Sequence, residues 1–516
     1  MQYDHIILGA GSAGAILAAR LTEDPTRSVL LIEAGPDYTT LEALPDEVRN
    51  GYATGTDIAT SNHNWQFVGK GTPTALDVQI PRGKVTGGSS AINGQVFLRG
   101  VPEDYNLWSQ WGNDEWDYES CFDYFKKLEA DLDYGDTDIH SGSGPIRLRR
   151  FKESEWHPDQ KAFRDACVDA GFSYVPDHND PNSTGVGPIP LNNPDGIRWS
   201  TTLGYLNPAR HRLNLTIRAN CLVQRLLFEG TRCVGAEIES GGERFTVYGK
   251  EIILSAGAVA SPQILMLSGV GPQAHLAEFG IPVVKDLPGV GQNLRDHPMI
   301  FVSWSVKPEY KQDPLAPRIQ LLLRWTAEGS QYWNDLIMFM SSFATERPER
   351  GGNRMESTGI RVHPSLNLAM SQGEIRLQST DPSVQPILDY RYLEHEFDRS
   401  RMREMIRLAA RLFEHPSFED IVAHRNEPSD EELADDDLLD AFAARDITTG
   451  QHTSGTCKMG PASDPLAVVD QYGKVYGVEN LRVVDASIMP DCIRANTNVT
   501  TMMIAERIAD FIKAGK

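Results

Sequence analysis

No stretch of this 516-residue chain reaches the ~18–20 consecutive apolar residues that a membrane-crossing helix needs. The first strand-like run starts almost at residue 1, which leaves no room for a signal peptide. Basic residues are outnumbered, 49 Lys and Arg against 71 Asp and Glu, giving a formal net charge of −22 and a pI near 5.0. Nucleic acid is therefore excluded as an expected partner, because phosphate binding needs clustered cations. Only six cysteines occur, at 121, 167, 221, 233, 457 and 492, and none form a CxxC pair. A zinc or redox-disulfide motif is unsupported, no metal is expected, and the cysteines read as buried thiols of a reducing compartment. Together these absences predict a cytoplasmic protein without an integral membrane segment, and leave a membrane-peripheral role and the oligomeric state open. Internal repeats and low-complexity tracts are also lacking.

Hydrophobic residues make up 40% of the chain and charged residues 23%, which argues for a buried interior and against disorder. The length exceeds one ordinary core and suggests two domains. The opening run His5 to Leu8 leads into Gly9, Gly11, Ser12, Ala13 and Gly14, then into the helix-favouring AILAARLTEDP. Strand, tight glycine turn and helix is the context of a dinucleotide-binding fingerprint. Gly9 allows the turn, Gly11 lets a pyrophosphate approach the backbone, and Gly14 lets the helix pack on the strand. The helix N-terminus offers free N–H groups to phosphates. The second strand ends at Glu33 and Ala34, and a carboxylate there suits ribose hydroxyls and would repel a 2′-phosphate, disfavouring NADP. The cradle alone does not separate FAD from NAD.

The predicted fold is mixed α/β, a Rossmann-like nucleotide domain with a second domain built on an antiparallel sheet packed by helices. The first domain is discontinuous, assembled from 1–150, 199–297 and 441–516. The second takes 151–198 and 298–440. LTIRANCLVQRLLFEG and RCVGAEIES alternate like strands, and EIILSAGA reads as a buried parallel strand. Residues 36–80 read as an irregular excursion and 131–196 as loop. A patch near Gln320 looks helical, residues 397–415 form an amphipathic helix, and the acidic run 431–440 reads as a solvated helix start.

PRGKVTGGSSAING with FLRG at 97–100 is similar to the first signature of the glucose–methanol–choline (GMC) oxidoreductases, and GAVASPQILMLSGVGP at 257–272 to the second. LPGVGQNLRDHP, VVDASIMP and HTSGTCKMG followed by RANTN at 494–498 complete five motifs in the family's order over nearly the whole chain. The resemblance implies an FAD enzyme. It places Gly88, Asn93, Gly94, Gln95 and Val96 beside the flavin ring and Trp65 at its border. Val223 would hold the adenine through its backbone, Asp485 and Ala486 would lie at the ribityl–pyrophosphate end, and Thr497 would orient the loop or the flavin. His452 occupies the place of the family's first catalytic histidine and Asn496 that of the second active-site position. Some relatives tether FAD through a histidine just before the Asn of the first signature. Ile92 stands there, so noncovalent FAD is expected.

Oxidising an alcohol moves a hydride to flavin N5 and a proton to a base, and histidine, with an ordinary pKa of ~6.5, suits that role. An amide cannot be the base, so His452 takes the proton and Asn496 steadies the developing alkoxide. His297 reads as structural, His63, beside Trp65, is a weak candidate for the substrate entrance, and Cys457 reads as a packed thiol. The expected activity is oxidation of a primary alcohol to an aldehyde with O₂ as acceptor, giving H₂O₂. The alternative is a dehydrogenase using a quinone or other dedicated acceptor, choline dehydrogenase-like or mycofactocin-associated. Fatty-acid photodecarboxylase and hydroxynitrile lyase are further readings on the same scaffold. No residue is assignable to recognition of choline.

Overall fold

A computed structural model describes residues 2–50, 58, 61–312, 317–344 and 359–516. Its first sheet has seven strands among the described residues, in the order Leu215–Arg218, Val29–Ile32, Gln2–Leu8, Glu243–Leu254, Arg232–Ser240 and Leu222–Glu229, with Leu481–Val483 also on Glu243–Leu254. Val29–Ile32 is buried throughout and Gln2–Leu8 over its second half, as parallel strands covered on both faces must be. The 12-residue strand Glu243–Leu254 joins two patterns. Its first half pairs antiparallel with Arg232–Ser240, and its second half pairs parallel with Leu481–Val483. Residues near both ends of the chain thus complete one sheet.

Gly9 adopts φ +104°, and the helix Ser12–Leu21 starts directly after the turn. A Cβ on Gly14 would fall 1.9 Å from the Gly9 carbonyl oxygen, so only glycine lets this helix sit so close to the turn. The helix packs against the C-terminal helix Thr497–Lys513. There Arg20 Nη2 lies 2.7 Å from the buried Glu506 carboxylate.

The second sheet has eight strands among the described residues and is antiparallel throughout. Its order is Val422–Glu427, Val302–Val306, Gly359–Leu366, Leu336–Ala344, Ile319–Trp325 and Gly185–Pro188. The short strand Pro298–Met299 pairs with both Gly359–Leu366 and Thr448–Thr449. The helix Glu396–Leu412 packs on this sheet.

Two expectations need correction. The patch near Gln320 is the strand Ile319–Trp325, with strands on both sides. An apolar run buried on both faces carries no period that separates strand from helix. Residues 131–196 are not simply loop. They contain the strand Ile146–Leu148, the helix Pro158–Asp169 and the strand Gly185–Pro188. That helix starts with Pro158 at its first turn and buries Phe163, Ala166 and Cys167, a face hidden by the Asp, Gly and Asn around it. Parts of the 36–80 and 298–440 readings lie outside the described residues. Among the described residues, no helix is long and apolar enough to cross a membrane.

Candidate active site

A cavity of about 720 Å³ runs between the two sheets, from the glycine turn to His452 and Asn496. Gly9, Gly11, Ser12, Ala13, Glu33, Ala34 and Val223 line the nucleotide end. Gly88, Asn93, Gly94, Gln95, Val96 and Trp65 line the middle, as do Asp485, Ala486 and Thr497. Gly14 does not reach the wall and acts through the helix packing described above.

The walls suit a dinucleotide. Gly11 and Gly88 lie back to back, and a Cβ on Gly88 would strike the Gly11 Cα at 2.6 Å. A side chain on Gly94 would meet nothing within 4 Å, so it would project into open space. Glu33 is buried, and its carboxylate oxygens accept the N–H groups of Ala10 and Gly35 at 3.0 and 2.9 Å. Burial pushes its pKa up to about 7, against the pull of those N–H groups. Asp485 lines the cavity, but its side chain is spent within the protein. It accepts from Gly257 N–H, Ser261 Oγ and Ser487 N–H at 2.8, 2.6 and 2.8 Å. Any contact of Asp485 with a cofactor must therefore come mainly from its backbone. Trp65 stacks on Phe67, and Ile92 lines the cavity without offering a nucleophile.

At the other end two stretches of chain run side by side. Thr448–Thr449 pairs with Pro298–Met299, Gly450 N–H donates to the His297 carbonyl at 2.8 Å, and Arg295 and Ser454 exchange two backbone hydrogen bonds at 2.9 Å. Asp296 binds the two together. Its Oδ1 accepts the N–H of His297 and of His452 at 2.8 and 2.7 Å, and its Oδ2 accepts from Tyr392 Oη at 2.6 Å and from Thr449 Oγ1. His297, read from the sequence as structural, therefore lies against the candidate base, with its Nδ1 2.8 Å from His452 Nδ1. Only the register of the two strands reveals this, since the residues stand 155 apart in sequence.

His452 Nε2 lies 2.9 Å from Nδ2 of Asn496, the residue at the N-cap position of the Thr497–Lys513 helix. An amide nitrogen only donates, so Nε2 is the acceptor and carries no proton. Enclosure by protein, then the neighbouring His297 and Arg82, hold the His452 pKa well below the ordinary histidine value. His452 is thus neutral at neutral pH. Arg82, on the cavity wall, donates to Thr453 Oγ1 at 2.6 Å. Part of the remaining wall comes from the antiparallel sheet and its approach, with Met299, Phe301, Ile319, Phe339 and His363, none of which had a sequence signal. His63 is not on the wall. It bridges Tyr38 and Glu47 at 2.8 and 2.9 Å. Cys457 is a buried free thiol whose pKa burial raises well above its ordinary value.

Outside the cavity, Glu129, Asp131 and His140 bring ligand-type atoms within 4.8 Å of one another. Their charges are already matched. Arg99 meets Glu129 at 2.7 Å, and Arg150 meets Asp131 and Asp177 at 2.8 and 2.6 Å. His140 bridges Glu129 and Asp177, each at 2.8 Å. Against the cost of burial, those two carboxylates raise the His140 pKa to about 9, so three carboxylates face three cations.

A glycine-turn nucleotide domain, a roofing antiparallel sheet and a neutral histidine beside an amide define a class of nucleotide-dependent oxidoreductase. The chain belongs to the GMC oxidoreductase family, whose N-terminal model matches residues 3–299 and whose C-terminal model matches residues 369–505. It is 37% identical over 539 residues to the mitochondrial choline dehydrogenase of Mus musculus, covering 99% of this chain and 89% of that protein. Pyridoxine 4-oxidase from Mesorbium loti superposes with a TM-score of 0.89 at 27% identity, covering 99% of each chain. An FAD-dependent oxidoreductase from Chaetomium thermophilum gives 0.87 at 26% identity, covering 100% of this chain and 99% of the other.

Proposed function

We propose that the chain oxidises a primary alcohol to its aldehyde on noncovalently held FAD, with His452 as general base and O₂ as electron acceptor, giving H₂O₂. The observation that carries this reading is the neutral His452 paired with Asn496 at the end of the cavity opposite the glycine turn. Bound in the cavity, the flavin supplies the hydride acceptor at N5. An alcohol oxygen lodged between His452 and Asn496 replaces their direct contact. His452 Nε2 takes the hydroxyl proton as the C–H bond breaks, and Asn496 Nδ2 donates to the oxygen as negative charge grows on it. The Thr497–Lys513 helix points its N-terminus at the same region, so its free N–H groups favour negative charge developing there. Glu33 would hold the ribose hydroxyls of the cofactor, and the backbone of Gly11 to Ala13 its pyrophosphate.

Ile92 at the wall supports noncovalent binding. Precipitating the holoenzyme with acid is expected to leave all flavin in the supernatant, and yellow colour in the pellet would refute it. The likeness to a choline dehydrogenase favours a second reading, in which the electrons pass to a dedicated acceptor. Reoxidation by air within seconds supports the oxidase, and reoxidation over many minutes supports the dehydrogenase. The substrate itself reads as uncharged. Among the described residues lining the cavity the only carboxylates are Glu33 and Asp485, both engaged elsewhere.

A further inference from the structure

We propose that His297 is the positioning residue that fixes which nitrogen of His452 is free to act as base. The inference rests on His452 being that base, and its logic is a proton count along four groups. The Ile493 carbonyl lies 2.8 Å from His297 Nε2 and can only accept, so Nε2 carries hydrogen. His297 is completely buried, and burial, against the pull of Asp296 and of the Ile493 and Asn367 carbonyls, lowers its pKa to about 4. A neutral ring with hydrogen on Nε2 has only a lone pair at Nδ1. The 2.8 Å contact with His452 then requires the hydrogen on His452 Nδ1. His452 Nε2 is left bare, facing Asn496 and the cavity. The opposite tautomer of His452 would set lone pair against lone pair at the ring contact and N–H against N–H at Asn496.

The backbone is built to hold this contact. One oxygen of Asp296 accepts both histidine N–H groups. Gly450 sits where a Cβ would come within 3.0 Å of both His297 Cβ and His452 Nδ1. The charged groups around the pair are Asp296, Arg295 (paired with Asp491 at 2.6 Å) and Arg82. Tyr390 and Tyr392, which pack beside Asp296, are held neutral by burial. When His452 takes the substrate proton, its Nδ1–H keeps a neutral acceptor in His297, and a hydrogen bond to an ionised donor is stronger than one to a neutral donor. His297 therefore keeps the ring in one orientation through the transfer, while its closeness helps hold the His452 pKa low.

Neutron diffraction from holoenzyme crystals exchanged into D₂O at neutral pD tests the arrangement in the unaltered protein. Deuterium is expected on His297 Nε2 and His452 Nδ1, and deuterium on His452 Nε2 would overturn the proposal. Kinetics supply the second arm, with flavin content and Tm recorded for each variant. His297→Leu removes the acceptor, and His297→Asn places an amide oxygen close to where Nδ1 stood. At normal flavin content, His297→Leu is expected to lose at least ~10-fold in kcat with little change in KM, and His297→Asn to recover most of it. Equal loss in both variants, or none in His297→Leu, would overturn the positioning role. His452→Ala tests the base itself. Turnover within about 10-fold of the unaltered enzyme would refute the general base, whatever the His297 variants do.

Discussion

Ser12 donates a hydrogen bond to Asn498 Oδ1 at 2.7 Å, joining the glycine turn to the first turn of the C-terminal helix across 486 residues of sequence. Both residues line the cavity, so this bond closes the cradle from its two ends. Asn498→Ala is expected to weaken FAD binding roughly 2- to 10-fold, the worth of one hydrogen bond of ~0.5–1.5 kcal/mol. Titrating apoprotein with FAD and following fluorescence quenching measures it. An unchanged Kd would mean that the two ends do not hold the cofactor jointly.

A Cβ on Gly450 would stand 3.0 Å from both His297 Cβ and His452 Nδ1, tighter than ordinary contact. Gly450→Ala is expected to spread the rings, with a stability loss of about 1–3 kcal/mol typical of overpacking. The fall in kcat should be ~10-fold or more while the flavin stays bound. Thermal unfolding and steady-state kinetics check both parts. Normal kcat in the alanine variant would show that the close approach of the rings is unimportant.

The cluster around His140 gives a pH dependence of known sign. Its folded pKa of about 9 lies above the ~6.5 of an unfolded chain. Its contribution is therefore complete below pH ~6.5 and is lost as pH rises towards 9. His140→Leu leaves Glu129 and Asp177 each short of a partner, and breaking such buried pairs costs roughly 3–5 kcal/mol. Denaturant unfolding at pH 6 should show the full difference between the two proteins, and at pH 9.5 a smaller one. A difference independent of pH would show that His140 is not charged in the folded state.

Much of this molecule was legible before its structure. Gly9, Gly11 and Glu33 sit in a strand–turn–helix unit whose chemistry is local, and the order of five motifs carried His452 and Asn496 to the site. The part that stayed hidden is non-local. His297 meets His452 only because Pro298–Met299 pairs with Thr448–Thr449, and no periodicity along either segment encodes that pairing. The strand at Gln320 looks helical in sequence because burial on both faces erases the alternation that marks a strand. Phe301, Phe339 and His363 carry no motif at all, since a substrate wall is defined by shape and not by fixed chemistry.

That wall bears on substrate choice. A quaternary ammonium needs a carboxylate or an aromatic cage to replace its water. The described wall near His452 holds no carboxylate, Arg82 is a cation on it, and two of its aromatic faces already carry cations, Arg361 over Phe301 at 4.1 Å and Lys84 over Trp65 at 4.8 Å. Uncharged primary alcohols are therefore expected to exceed choline in kcat/KM by at least ~10-fold at equal pH. Initial rates of flavin reduction under anaerobic conditions measure this directly. Choline reducing the flavin faster than every uncharged alcohol tested would contradict it.

In the proposed reaction a neutral His452 takes the proton of an alcohol while FAD takes the hydride. Anaerobic stopped-flow mixing of a primary alcohol with the unaltered holoenzyme and with His452→Ala tests it most directly, read as loss of the oxidised flavin absorbance from pH 5 to 9. The unaltered enzyme should bleach at a rate that is flat through neutral pH and falls only at the acid end, because the depressed pKa leaves Nε2 unprotonated above it. The alanine variant should keep its flavin and bleach about 10²–10⁴ times more slowly. Equal bleaching rates in the two proteins, or a rate that rises as the pH falls, would contradict the account.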